Sequence, residues 1–298
     1  MTIDAHRTVR PTVSVVIPMN GIISQLDEQL DGLAQQNYSG EFEVVVADNG
    51  VGDLLRRHIS DHSLNTRMKI QYIDASEQAG VSFARNCGAR HASGEFLAFC
   101  DADDIVHENW ISSLVGFAQD FDVVGTAVET AGINTAKAMS WTPSMPAERQ
   151  GRTTFLPHAI GASMGAWTGV WRDLGGMDTS YHASEDVEFC WRAQLAGYTF
   201  GFLPVAEVAY RLREELRPLL RQSYKLGYGF ARLQGEYRAR GCPPVSVRRV
   251  AYWWTLLILG NPLVPSFVTK VSRGQWARAV AAHAGEVRGG LKYHTFGW

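Results

Sequence analysis

The sequence predicts an α/β domain on a mostly parallel, doubly wound sheet, followed by a helical C-terminal extension. Three observations predict it. Short apolar runs alternate with helical periodicity from Val13 to Cys100. Each run stops at a proline, a turn signal or an acidic residue. After Arg213 only helical periodicity remains.

The elements follow in order. Val13-Ser-Val-Val-Ile-Pro18 is a buried strand that Pro18, lacking an N–H, is expected to close. Leu26, Leu30 and Leu33 recur at helical spacing and stop near Gln36-Asn37. Phe42–Ala47 is the second strand, with Asp48-Asn49-Gly50 as a turn after it. A helix from about Asp53, a strand over Lys69–Ile73, a helix over Val81–Ala92 and a strand over Glu95–Cys100 come next. Beyond Trp110 the pattern loosens: a strand at Asp122–Gly125, a long loop over Thr135–Pro157 and a glycine-rich stretch over Gly161–Met177. A helix over Glu185–Leu195 and a strand over Thr199–Val205 precede the extension.

At 298 residues, 46% hydrophobic and 19% charged, the chain can bury a full core and lies far from the disordered regime. The net charge of −2 conceals a polarity. From Arg211 to the end there are 15 Lys/Arg against 4 Asp/Glu, and before it 13 against 26. The acidic part suits a cation; the basic part suits an anionic surface. Tyr252-Trp-Trp-Thr-Leu-Leu-Ile-Leu259, beside Arg248 and Arg249, is too short to span a bilayer and has the composition of an interfacial segment or of a packed tail helix. Cys87, Cys100, Cys190 and Cys242 form no CxxC pair and are expected as free thiols, and no apolar stretch near the start resembles a signal sequence. A cytoplasmic location is expected, with peripheral contact at the inner membrane face through 211–298, and no nucleic-acid partner.

In doubly wound sheets ligands sit beyond the carboxyl ends of the strands, here at Pro18, Asp48 and Asp101. Asp101-Ala102-Asp103-Asp104 follows an apolar strand directly. Three carboxylates so close repel one another unless a cation lies between them, and hard oxygens select Mg²⁺ or Mn²⁺. The rival reading is a solvated turn in which Asp104 caps the helix through Trp110. Glu185, Asp186 and Glu188 open a helix, where acidic residues favour the dipole in any case. His58 and His62 stand four apart on a predicted helix, but the nearby sequence offers no third ligand. GxGxxG, GxxxxGK[ST] and GxSxG are all missing.

These segments together resemble the family 2 glycosyltransferases of the GT-A fold. Asp101-Ala-Asp103 is similar to the family's Asp-x-Asp motif, and Val44-Val-Val-Ala-Asp48-Asn-Gly50 to its nucleobase-contacting segment. Gly80-Val-Ser-Phe-Ala-Arg85-Asn86-Cys-Gly88 resembles "GxxxARNxG", and Gly175-Gly176-Met-Asp178 with Glu185-Asp186-Val-Glu188 resembles "GGFD…EDxE". The resemblance implies inverting, metal-assisted transfer from a nucleoside-diphosphate sugar, UDP-sugar favoured, to a hydroxyl acceptor. It implies a nucleotide-sugar-binding half over 1–105, an acceptor-binding half over 106–210 and an extension over 211–298. It places Pro18, Asn20, Asp48, Asn49, Arg85, Asp101, Ala102 and Asp103 around the nucleotide-sugar, with Asp101 and Asp103 on the metal. Asp186 is the implied base, with Glu185 as substitute. Departures exist: Met19-Asn20-Gly21 follows Pro18, and Val208-Ala-Tyr210-Arg-Leu-Arg213 lacks the histidine that completes the metal site in many relatives. A nucleotide-binding partner subunit without catalysis therefore stays open. A sugar nucleotidyltransferase is a further alternative, though no glycine-rich basic loop follows the first strand.

Overall fold

The structure is a computed structural model in which residues 7–245, 247–261 and 271–295 are described. It divides into two compact units. The first runs to Glu129 and adds Pro146–Ser180 and Glu185–Tyr210; the second holds Thr130–Met145, Tyr181–Ser184 and the described residues from Arg211 onward.

In the first unit, β1 (Val13–Met19), β2 (Phe42–Asp48), β3 (Lys69–Asp74) and β4 (Phe96–Phe99) pair in parallel. β5 (Ile105–Val106), β6 (Val123–Glu129), β7 (Met164–Trp167) and β8 (Phe200–Ala209) complete one eight-stranded sheet of order β3-β2-β1-β4-β7-β6-β8-β5. β7 runs antiparallel to β4 and β6, and β5 antiparallel to β8, while β6 and β8 are parallel. The parallel half is covered on both faces, which is why its strands are continuously apolar. Val15 and Ile17 enter one core with Leu26, Leu30 and Leu33 of α1 (Ile23–Ala34). Val16, one residue out of step, enters the other core with Ala89 of α3 (Val81–His91). Gly88 lets α3 lie close: a Cβ there would stand 2.5 Å from Val16. α2 (Asp53–Ser60) follows β2.

Several expectations are corrected. Pro18 lies inside β1, not at its end. It is tolerated because β4 pairs only with Val13–Val16, so no ladder bond is required of position 18 on that side. Asp104 caps no helix: it precedes β5, and α4 (Trp110–Phe117) has Asn109 at its N-cap. The Gly161–Met177 stretch contains β7 and α6 (Thr168–Asp173). The span expected as a long loop holds α5 (Ala136–Trp141), capped by the Thr135 side chain, and a 3₁₀ turn at Ala147–Arg149. α7 (Glu185–Leu195) stands where expected.

In the second unit α8 (Leu216–Glu236) and α10 (Arg273–Tyr293) pack along glycines, with α9 (Val247–Leu259) between them in sequence. A Cβ on Gly227 would meet the Ala282 carbonyl at 2.0 Å, and one on Gly285 the Tyr224 carbonyl at 2.0 Å. No described helix is long and apolar enough to cross a membrane. The four cysteines are buried free thiols.

Candidate active site

The acidic turn between β4 and β5 is shaped from below by a polar residue in an apolar stripe. Gln29, fully buried on α1, donates to the Asp101 carbonyl at 2.9 Å and accepts from the Val106 N–H at 2.9 Å. Both ends of the turn are thereby fixed. Gly32, one turn on, lets α1 approach β5, since a Cβ there would lie 2.8 Å from the Val106 carbonyl. Within the turn, one carboxylate oxygen from each of Asp101, Asp103 and Asp104 lies within 4.8 Å of the others. Asp104 is 1% exposed, so the cluster is deeper than a solvated loop. Ala102 is buried between the two motif aspartates. The all-oxygen set fits Mg²⁺ or Mn²⁺.

Arg85 ties this turn to the start of α7. Its guanidinium donates from Nη2 to Asp101 at 2.7 Å and from Nη1 to Glu185 at 2.8 Å, with the side chain 2% exposed. Burial pushes the Asp101 carboxyl up, and Arg85 opposes that shift. Burial pushes Glu185 up to about 7, Asp186 adds to the shift and Arg85 again opposes it. Asp186 is held by its own helix and by a loop: Oδ1 accepts from Val187 N–H and Oδ2 from Gly161 N–H, each at 2.8 Å. Gly161 also lies flat against Arg85, where a Cβ would stand 2.7–3.0 Å from the guanidinium. Ser184, immediately before this pair of acids, has φ +65°, unusual for a non-glycine residue. Asn86, next to Arg85, pairs twice with the Met177 backbone at 2.7 and 2.9 Å, so it anchors the Gly175-Gly176-Met177 turn.

On the neighbouring strand end Asp48 is 1% exposed and saturated. Oδ1 accepts from Gly50 and Val51 N–H at 3.0 and 2.7 Å; Oδ2 accepts from Gly52 N–H at 2.7 Å and the Tyr72 hydroxyl at 2.9 Å. Asn49 is equally engaged, donating to the Ala75 and Gln78 carbonyls and accepting from Gly80 N–H. Both side chains hold the loops around the site in shape. Asn20 is exposed beside Gly50. Thus Asp101, Asp103, Arg85, Glu185 and Asp186 gather in one place, while Asp48 and Asn49 build the adjoining strand-end loops.

Residues 14–170 match the sequence family Glycosyl transferase family 2, and residues 97–282 match Glycosyl transferase family group 2. The chain belongs to glycosyl transferase family 2. Among family relatives, the pre-mycofactocin glycosyltransferase of Mycobacterium tuberculosis is 27% identical over 274 residues, 88% of this chain and 56% of that protein. The chain thus spans little more than half of that relative. Glycosyltransferase AglE of Haloferax volcanii is 26% identical over 85% of this chain and 83% of its own length. The fold is GT-A. It is shared with the mannosyltransferase PcManGT from Pyrobaculum calidifontis in complex with GDP-Man and Mn²⁺, at TM-score 0.63 and 19% identity, over 93% of this chain and 87% of that one. It is shared also with S. aureus TarS 1-349, at TM-score 0.54 and 18% identity, over 96% and 93%.

Three residues of this family 2 site escape a reading by motif. Gln29 leaves one faint trace, as a polar residue beside the Leu26, Leu30, Leu33 stripe. Gly161 is one glycine among many until Arg85 is seen against it. His158 gave no signal. Its Nδ1 is buried and meets no hydrogen-bond partner among the described residues, and burial lowers its pKa while the Asp186 charge opposes.

Proposed function

We propose that the chain moves one sugar from a nucleoside-diphosphate donor to a hydroxyl acceptor, with inversion, and that Asp186 is the general base. The observation that carries this is the Arg85 bridge, which joins the acidic turn to the Glu185–Asp186 pair. An inverting transfer needs a carboxylate that takes the acceptor proton as its oxygen attacks, on the side away from the departing diphosphate. Asp186 is suited because two backbone N–H groups fix its orientation. Asp101 and Asp103, with Asp104 beside them, would hold Mg²⁺ or Mn²⁺, whose chemistry when bound is to neutralise charge on the diphosphate. Arg85 engages Glu185 and Asp101 in ion pairs, which leaves Asp186 as the carboxylate it does not pair with directly. A saturated Asp48 favours no base by itself, so UDP- and GDP-sugars both belong in the donor panel.

Asp186→Asn should lower transfer about 10²–10⁴-fold, with calorimetric nucleotide binding retained. Asp103→Asn should abolish metal-dependent turnover. Unchanged transfer in Asp186→Asn would refute the base assignment.

One observation favours a second reading. After β8 ends at Ala209, Tyr210 stands in the segment where the family resemblance implies a histidine that completes the metal site. A subunit that binds nucleoside diphosphate without turning a donor over would show calorimetric binding and no metal-dependent hydrolysis for any donor tested.

We further propose that α9 meets an anionic membrane surface. Trp254 and Ile258, 50% and 62% exposed, share a face, and Arg248 is exposed on the same helix. Failure to sediment with anionic liposomes would end this proposal.

A further inference from the structure

His58 lies on α2, but His62 stands in the turn after it and not on the helix as expected, because α2 ends at Ser60. The two still have a third partner, supplied by α1. Asp27 on α1 places Oδ1 2.6 Å from His58 Nε2 and 3.4 Å from His62 Nε2. One ligand atom from each of the three residues lies within 4.8 Å of the others. The two rings meet edge to face at 5.3 Å between centroids. The side chains are 38%, 30% and 11% exposed for Asp27, His58 and His62, so an ion has a route in and water has room beside it.

We propose that Asp27, His58 and His62 form a Zn²⁺ site that clamps α1 to α2, separate from the acidic turn. Two imidazoles and one carboxylate with an open fourth position is a ligand set that Zn²⁺ accepts, whereas Mg²⁺ and Mn²⁺ favour oxygens. Tetrahedral ligands about 2.0–2.1 Å from zinc stand about 3.3 Å apart. The Asp27–His62 spacing already matches, and the Asp27–His58 pair opens by less than about 1 Å. Coordination at His62 Nε2 puts the ring hydrogen on Nδ1. The long 3.3 Å contact from Leu64 N–H to that nitrogen is then given up, a loss on the order of a weak hydrogen bond. Two residues along α1 from Asp27, Gln29 grips the acidic turn. α2 begins at Asp53, directly after the loop that Asp48 holds. The clamp therefore fastens together the helices behind two of the strand ends.

The test is calorimetric titration with ZnCl₂ of the whole chain, of Asp103→Asn, and of Asp27→Asn and His58→Gln, each checked for folding by circular dichroism. Thermal unfolding with and without zinc accompanies each titration. The expected result is one zinc per chain in the wild type and in Asp103→Asn, with a melting temperature that rises on zinc addition. Outer-shell changes at metal sites already cost 10–100-fold, so loss of a direct ligand in Asp27→Asn or His58→Gln should weaken zinc at least about tenfold. The thermal shift should disappear with it. Equal zinc affinity in the wild type and these two variants, binding lost in Asp103→Asn instead, or no zinc bound by the wild type would overturn the proposal.

Discussion

Arg85 donates from Nη1 to Glu185 at 2.8 Å across the centre of the site, and the other arm of the same guanidinium reaches Asp101. One buried cation thus holds the carboxylates of two separate motifs. Removing it leaves the buried Glu185 and the part-buried Asp101 with no counter-charge, which costs far more than the pair gains when intact. Arg85→Met is expected to lose about 3–5 kcal/mol of stability, read as a lower urea midpoint at unchanged slope. Arg85→Lys keeps the charge but has no fork to span both partners, so it should fall between.

Gly161→Ala tests the same junction from the loop side. Its new methyl would stand 2.7–3.0 Å from the Arg85 guanidinium. The loop must retreat, and the Gly161 N–H that fixes Asp186 retreats with it. Overpacking of this sort costs about 1–3 kcal/mol. Because Asp186 is the proposed base, kcat should fall while KM for the donor changes little. A loss confined to donor KM would contradict the link.

The parallel half was legible in the sequence because strands buried on both faces must be apolar throughout, as Val44, Val45 and Val46 are. β7 was hidden for a physical reason. Gly165 and Ala166 hold little hydrophobic signal, yet small residues are required there: a Cβ on Gly165 would meet Phe96 at 2.4 Å. β5 is two residues long and is specified by its partner strand and by Gln29 rather than by its own composition. In the site, the acids announced themselves by clustering. What holds them did not, because the roles of Gln29 and Gly161 exist only between elements far apart in sequence.

Gln29→Leu separates shape from polarity at the acidic turn. The substitution keeps an apolar contact but leaves the Asp101 carbonyl and the buried Val106 N–H without the partner they now share. Unsatisfied groups of this kind cost about 1–3 kcal/mol each. The turn that spaces Asp101 and Asp103 should loosen as well, with a weaker dependence of activity on Mn²⁺ or Mg²⁺. Metal titrations of activity should show an apparent affinity about 10–100-fold lower, the range for outer-shell losses.

Glu43 sets how the fold responds to acid. It is 6% exposed and accepts from Lys69 at 2.6 Å and from Ser14 and Ser93 at 2.7–2.8 Å. Burial alone would raise its pKa, but these donors together outweigh burial and bring it down to about 2 from 4.5. A carboxyl with a depressed folded-state pKa binds fewer protons when folded than when unfolded. Its contribution is complete above pH 4.5 and fades as pH falls towards 2. Lys69 is 62% exposed, so water screens part of the gain, and about 2 kcal/mol is expected at neutral pH. Glu43→Gln should therefore be less stable than the wild type by about that amount at pH 7, and the two proteins should converge as acid is added. Urea unfolding at stepped pH reads this directly, and a gap that stayed constant down to pH 2 would mean that the carboxylate charge contributes nothing to the fold.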